Sequence, residues 1–192
     1  MFRFVYEVKD QRDWQRRPGC GKNPFSCFFC HLLDVLGAKA ILDLTYGVGS
    51  FYQACTSLNI IAVDIVRRNW LVEPREFRQA DALEFIKEFQ NHVDVVVLDP
   101  PYATKKTNRS HNEHYEALYY GRFPLTKIIQ VVKTARAKAK HVVLKYMPAI
   151  EEEVELLRLS PKHVVTWRYI ISLVVATEHN KVIRNATKIY VY

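Results

Sequence analysis

An acid, a rigid turn and an aromatic ring follow one another at Asp99-Pro100-Pro101-Tyr102. Two consecutive prolines fix the backbone and remove two N–H donors, so their carbonyls remain as acceptors. A carboxylate, a fixed carbonyl and a stacking face together suit a planar group that carries an NH2. Such an amine is a poor nucleophile, because its lone pair is delocalised into the ring. Two acceptors, Asp99 and the Pro100 carbonyl, can draw its hydrogens out of plane and localise that pair. Tyr102, next to Pro101, would stack on the ring and fix the angle of attack. The catalysis is positioning plus electrostatics. The tetrapeptide ends an apolar run from Val93 to Leu98, broken only by Asp94. A run of this kind reads as a buried parallel strand. At the strand's end the Asp99 carboxylate can face a cleft, so its loss is expected to cost folding little.

A second constellation lies upstream. The strand-like run Ala40–Leu44 leads into Asp43-Leu44-Thr45-Tyr46-Gly47-Val48-Gly49. Gly47 and Gly49 permit a tight turn and a close backbone approach to a ligand. Ligands of open α/β sheets sit beyond the carboxyl ends of strands, where this loop falls. Phe51 and Tyr52 stand where a pyrophosphate fingerprint needs small residues, which counts against a nicotinamide dehydrogenase. Asp64 ends the next strand, about twenty residues after the first, where an acid can bind both hydroxyls of a ribose. Asp81-Ala82 end a third element, where an acid beside a backbone N–H can recognise an adenine amino group. Asp81 also fits the plain role of a helix N-cap.

The elements that must position these residues alternate along the chain. Strands are expected over Ala40–Leu44, Asn59–Ile65, Glu76–Asp81, His92–Asp99 and Lys140–Met147, with two β-rich segments closing the chain around a turn near His179–Asn180. Helices are expected from the glycine loop to about Leu58, over Ala82–Phe89, from Pro124 to about Ala139, and over Ile150–Leu159. The start of the chain reads as an edge strand or an ordered arm. This alternation predicts a doubly wound parallel sheet with helices on both faces.

The four acidic positions, taken in order, resemble the amino-methyltransferases of the DPPY type, over nearly the whole chain. Asp43 through Phe51 is similar to their motif I, Asp64 to motif II, Asp81 to motif III and Asp99–Tyr102 to motif IV. Lys22-Asn23-Pro24-Phe25 is similar to an N-terminal motif that packs over the methionine end of the cofactor. The resemblance implies a Rossmann-like class I methyltransferase fold: a mostly parallel seven-stranded sheet whose last strand is antiparallel. It implies one domain over residues 1–192, with residues 1–38 an arm and helix covering the cofactor site. It implies S-adenosylmethionine as cofactor, held by Asp43, Thr45, Tyr46, Gly47, Gly49, Asp64, Asp81, Ala82 and Asp99. It implies methylation of an exocyclic nucleobase amine in DNA or RNA, N6 of adenine ahead of N2 of guanine. Asp99, Pro100 and Tyr102 would be catalytic. Pro101, Tyr102, Lys105, Lys106 and Arg109 would bind the substrate. The alternatives are a protein-glutamine methyltransferase, which uses Asn in place of Asp99, and a non-catalytic nucleic-acid-binding module of the same fold. No separate target-recognition domain is expected after Tyr102, so the loop Ala103–Phe123, a structured RNA or a partner protein would supply recognition.

Composition agrees with a nucleic-acid partner. The net charge is +8, which favours a polyanion. Cations gather at Arg12–Lys22, Lys105–Arg109 and Lys127–Lys140; the last run reads as the solvated face of an amphipathic helix. The loop after the prolines mixes Lys105, Lys106 and Arg109 with Tyr115, Tyr119 and Tyr120, as single-stranded or extruded nucleotides require. The tyrosines fit a helical core face equally well. No apolar stretch is long enough to span a bilayer, and the expected compartment is the cytoplasm. Cys20, Cys27 and Cys30-His31 have spacing compatible with a metal site, but CFFCHLL reads as an apolar helix face. Buried thiols, no metal and no disulfide framework are expected.

Overall fold

The computed structural model describes residues 4–8, 23–101, 123–146, 148, 150–168 and 186–192. Eight strands form one sheet: β1 (Phe4–Val8), β2 (Ala40–Asp43), β3 (Asn59–Asp64), β4 (Glu76–Gln79), β5 (Val93–Leu98), β6 (Ala139–Tyr146), β7 (His163–Arg168) and β8 (Ala186–Val191). Their order is β1-β7-β8-β6-β5-β2-β3-β4. Only β8 runs antiparallel, inserted between β6 and β7. These are the expected seven strands plus β1, which pairs parallel with β7 at the edge. Strand order reverses at β2, which pairs with β3 on one side and β5 on the other. That reversal opens a crevice at the carboxyl ends of β2 and β5.

Alternation along the strands divides the core in two. Ile41, Val95, Val97, Val143, Ile189 and Val191 face α1 (Pro24–Val35). Leu42, Leu44, Val96, Leu98, Val142 and Leu144 face α2 (Ala82–Glu88), α3 (Leu125–Ala135) and α4 (Ile150–Arg158). None of the described helices is long and apolar enough to cross a membrane.

Two expectations are corrected. The helix expected after the glycine loop is a single 3-10 turn, Ser50–Tyr52. Its backbone finds partners on α1 instead of in its own ladder. The Ser26 hydroxyl donates to the Phe51 carbonyl and accepts from the Ala54 N–H, both at 2.9 Å. The Asn23 amide donates to the Ser50 carbonyl at 3.0 Å. Ser57, with φ 59°, then carries the chain out of helical geometry. The cysteines are the second correction. Cys30 on α1 and Cys55 after the turn form a disulfide, with Cα atoms 5.1 Å apart. Cys27 is also disulfide-bonded, so neither Cys27 nor Cys30 is a thiolate ligand in this state; Cys20 lies outside the described residues. The spacing failed to show this because α1 meets the turn only in the folded chain. A cross-link closing 25 residues contributes roughly 3 kcal/mol by restricting the unfolded chain.

Candidate active site

The carboxyl ends of the central strands stand side by side in the order β6, β5, β2, β3, β4, and a chain of hydrogen bonds links them. The loop after β2 is gripped from both sides: the Leu44 N–H donates to Val97 of β5 and the Tyr46 N–H to Val63 of β3. The Thr45 hydroxyl accepts the Asp99 N–H at 2.6 Å, tying the loop to the start of the Pro-Pro turn. The Gly47 N–H donates to Asp64 at 2.8 Å, and the Val66 N–H holds the other Asp64 oxygen at 3.1 Å. Asp64 is therefore fixed at the end of β3, half-buried.

Gly47 and Gly49 differ in kind. Both have positive φ, 60° and 75°. A Cβ on Gly47 would meet nothing within 4 Å, so the loop leaves open space above that residue. A Cβ on Gly49 would lie 2.6 Å from the Tyr46 hydroxyl and 2.9 Å from the Val72 carbonyl.

Asp43 lies under the loop, with 2% exposure. It accepts from the Tyr52 hydroxyl at 2.7 Å and from the Thr45 N–H at 2.9 Å. Burial pushes its pKa up to about 7, and those two hydrogen bonds oppose the rise. Asp43 thus shapes the loop from below. The same burial, with Asp43 adjacent, raises the Tyr52 phenol. Tyr46 is buried, stacks on Tyr52 at 5.6 Å, and donates to the Val72 carbonyl at 2.7 Å.

Asp81 is the N-cap of α2, accepting from Leu83 at 2.9 Å and Glu84 at 3.4 Å. It also pairs with Lys127 of α3. Burial pushes its carboxyl up, but the Lys127 hydrogen bond, the Glu84 and Leu83 N–H groups and the Lys127 charge together outweigh this and leave it below the usual carboxylate range. Ala82 is buried; as the first residue of α2 its N–H has no intrahelical acceptor.

At the end of β5, Asp99 stands with Pro100 buried and Pro101 half-buried. Its carboxylate is held on both oxygens, each 2.9 Å from the Lys145 ammonium. Lys145 comes from β6 and its side chain is only 10% exposed. Register puts it there: Leu98 pairs with Leu144, so Asp99 and Lys145 follow one step later on the face toward α1. Phe25 and Phe51 flank the ammonium, with centroids at 5.5 and 5.1 Å, a distance at which ring faces attract cations. The structure therefore joins Asp43, Thr45, Gly47, Asp64 and Asp99 at one crevice and adds Lys145. Lys145 is not among the residues expected at the site from the sequence; its signal there is a lysine standing inside the run VVLKYM. Tyr102, Lys105, Lys106, Arg109, Tyr115, Tyr119 and Tyr120 lie outside the described residues.

In the basic run Lys127–Lys140, Lys133, Arg136 and Lys140 are exposed, as the sequence suggests, whereas Lys127 and Lys138 are half-buried. Lys127 pairs with Asp81 and sits over Phe123, Lys138 donates to the carbonyls of Lys87 and Phe89, and Lys140 pairs with Asp94. Lys127 thus ties α3 to the start of α2, Lys138 ties the segment before β6 to the end of α2, and Lys140 ties β6 to β5.

No protein-family model matches the chain, and no curated protein does. Solved structures do match. A protein from Pyrococcus horikoshii designated a candidate RNA methyltransferase is 19% identical, covering 97% of this chain and 91% of its own, with a TM-score of 0.54. The 1320 protein of Thermoplasma acidophilum is 10% identical, covering 94% and 93%, with a TM-score of 0.55. The delta-N METTL16 MTase domain is 9% identical, covering 90% and 83%, with a TM-score of 0.52. Together with the strand order and the antiparallel β8, these likenesses show that the chain has the class I methyltransferase fold.

Proposed function

We propose that this protein is an S-adenosylmethionine-dependent methyltransferase acting on an exocyclic amine of a nucleobase, N6 of adenine ahead of N2 of guanine, in RNA rather than DNA. The observation that carries this reading is the Asp99 carboxylate, fixed on both oxygens at the switch-point crevice beside the glycine loop. The name of the Pyrococcus horikoshii neighbour favours RNA. The net charge of +8 suits a phosphate backbone. An acid at position 99, where protein-glutamine methyltransferases carry Asn, favours a nucleobase.

The residues present fit the cofactor. Space above Gly47 admits a ligand against the loop. Asp64 offers a fixed carboxylate to a ribose diol. Asp81 and the Ala82 N–H offer an acceptor and a donor to an adenine edge. When bound, S-adenosylmethionine supplies a methyl group on a positively charged sulfur, and the C–S electron pair stays on sulfur as the N–C bond forms. Asp99 and the Pro100 carbonyl accept the two amine hydrogens and localise the nitrogen lone pair. Once methylated, the nitrogen sheds one proton, and Asp99 is already in place to receive it. Tyr102 stacks on the base. Phe4–Val8 extends the sheet as β1, and α1 closes one side of the site through Phe25.

The test uses labelled S-adenosylmethionine with RNA, DNA and protein from cells in which the gene has been deleted. Label in RNA as N-methyl purine is the expected result. Label in protein glutamine, or in none of the pools, overturns the reading. Calorimetry tests the cofactor half. Asp64→Ala is expected to weaken S-adenosylmethionine binding about ten- to a hundredfold, through loss of charge-assisted hydrogen bonds. Tight NAD binding with no S-adenosylmethionine binding would contradict it.

A further inference from the structure

Lys145 follows the buried apolar run Val142–Leu144 of β6, and its ammonium reaches both oxygens of Asp99 at equal distance, 2.9 Å. A lysine has three donors and no acceptor, so this contact requires an acceptor on each Asp99 branch. A carboxylate provides two. A carboxamide of the same shape provides one, and its NH2 group meets Lys145 as donor against donor. We propose that Lys145 is a positioning residue that locks the Asp99 carboxylate and makes an acid, rather than its amide, obligatory at position 99. The role rests on the methyl-transfer reading above.

The substrate amine offers hydrogens, so the branch facing it must accept. In Asp99→Asn the single carbonyl oxygen is drawn to Lys145. The NH2 is then left toward the substrate, where it repels the amine it should hold. Without Lys145 the amide can turn its oxygen to the substrate. Phe25 and Phe51 beside Lys145 give an apolar replacement a place to pack. Loss of the lysine should therefore partly restore an Asp99→Asn enzyme, though it harms the wild type.

Four proteins test this: wild type, Lys145→Met, Asp99→Asn and the double variant, assayed for single-turnover methyl transfer on RNA from cells lacking the gene. Thermal midpoints and S-adenosylmethionine affinity are measured alongside. Lys145→Met is expected to slow transfer about tenfold and Asp99→Asn about a hundredfold or more, with the double variant about tenfold faster than Asp99→Asn. The double variant should also melt above Asp99→Asn, and transfer is measured at saturating S-adenosylmethionine so that any change in cofactor affinity stays out of the compared rates. Lys145→Arg, which keeps the donors, should give no rescue. A double variant no faster than Asp99→Asn overturns the role, even if it melts higher, because the pair would then be structural only. A wild type inactive on every pool overturns the methyl-transfer reading and this role with it.

Discussion

Asp99→Ala is expected to abolish methyl transfer and, in the same protein, to lower stability. The first effect comes from losing an acceptor that tightens on the amine as charge develops, which costs on the order of a hundredfold to a thousandfold in rate. The second comes from Lys145. Its side chain is 10% exposed and Asp99's 22%, so most of the ion pair lies out of water. Removing Asp99 takes a carboxylate away from both 2.9 Å contacts with a largely buried ammonium, and breaking a buried pair from one side costs about 3–5 kcal/mol. The sequence alone led to the opposite expectation for folding, since a strand-end acid facing a cleft should be dispensable. Differential scanning calorimetry on Asp99→Ala and on Asp99→Ala/Lys145→Met separates the two effects. The single variant should melt well below wild type, and the double variant should recover much of the loss while staying inactive. Full activity in a folded Asp99→Ala protein refutes the proposed chemistry. An unchanged melting point refutes the energetic account of the pair.

The parts of the site legible in the sequence share one property: each is local. Asp64 and Asp99 could be placed because an apolar run stops at or just before each of them, and a run that ends in an acid marks the carboxyl end of a strand; Asp81 could be placed because it directly precedes the helical spacing of Ala82–Phe89. Gly47 and Gly49 could be placed because a turn needs positive φ where they stand. Lys145 could not be placed in the same way. Alone, it reads as the exposed end of β6. Its partner follows only from the pairing of Leu98 with Leu144, which is a tertiary fact. The Cys30–Cys55 link was hidden for the same reason. The missing helix after Gly49 shows tertiary contact overriding local pattern. Asn23 and Ser26 supply partners that the segment would otherwise have had to find in its own helix. Lys127 shows both sources at once: its helix was legible from periodicity, whereas its pairing with Asp81 on α2 was not.

Gly49→Ala carries the second large effect, and it tests the scaffold rather than the chemistry. At φ 75° any side chain is strained, by about 1–2 kcal/mol for an L-residue in this region. Space adds to that. The new methyl carbon would stand 2.6 Å from the Tyr46 hydroxyl oxygen, 2.8 Å from its ring carbon and 2.9 Å from the Val72 carbonyl. Neither neighbour can give way cheaply. Tyr46 is buried, stacked on Tyr52, and bonded through its hydroxyl to that same Val72 carbonyl. Moving Tyr46 disturbs the ring that holds Asp43, and moving Val72 shifts the segment that follows Asp64. Strain and displacement together should cost about 3–5 kcal/mol, which lowers the melting midpoint by roughly 10 °C in a domain of this size. Gly47→Ala is the control. Its φ is similar, 60°, but its Cβ would enter open space, so only about 1–2 kcal/mol of backbone strain is expected. The two alanines should then part company in calorimetry. Gly49→Ala should lose stability first and cofactor binding as a consequence, whereas Gly47→Ala should melt close to wild type and lose S-adenosylmethionine affinity, because its methyl fills the space left for the ligand. Equal melting points for the two variants would mean that the Gly49 contacts are softer than their distances imply, and equal affinities would remove the cofactor from the space above Gly47.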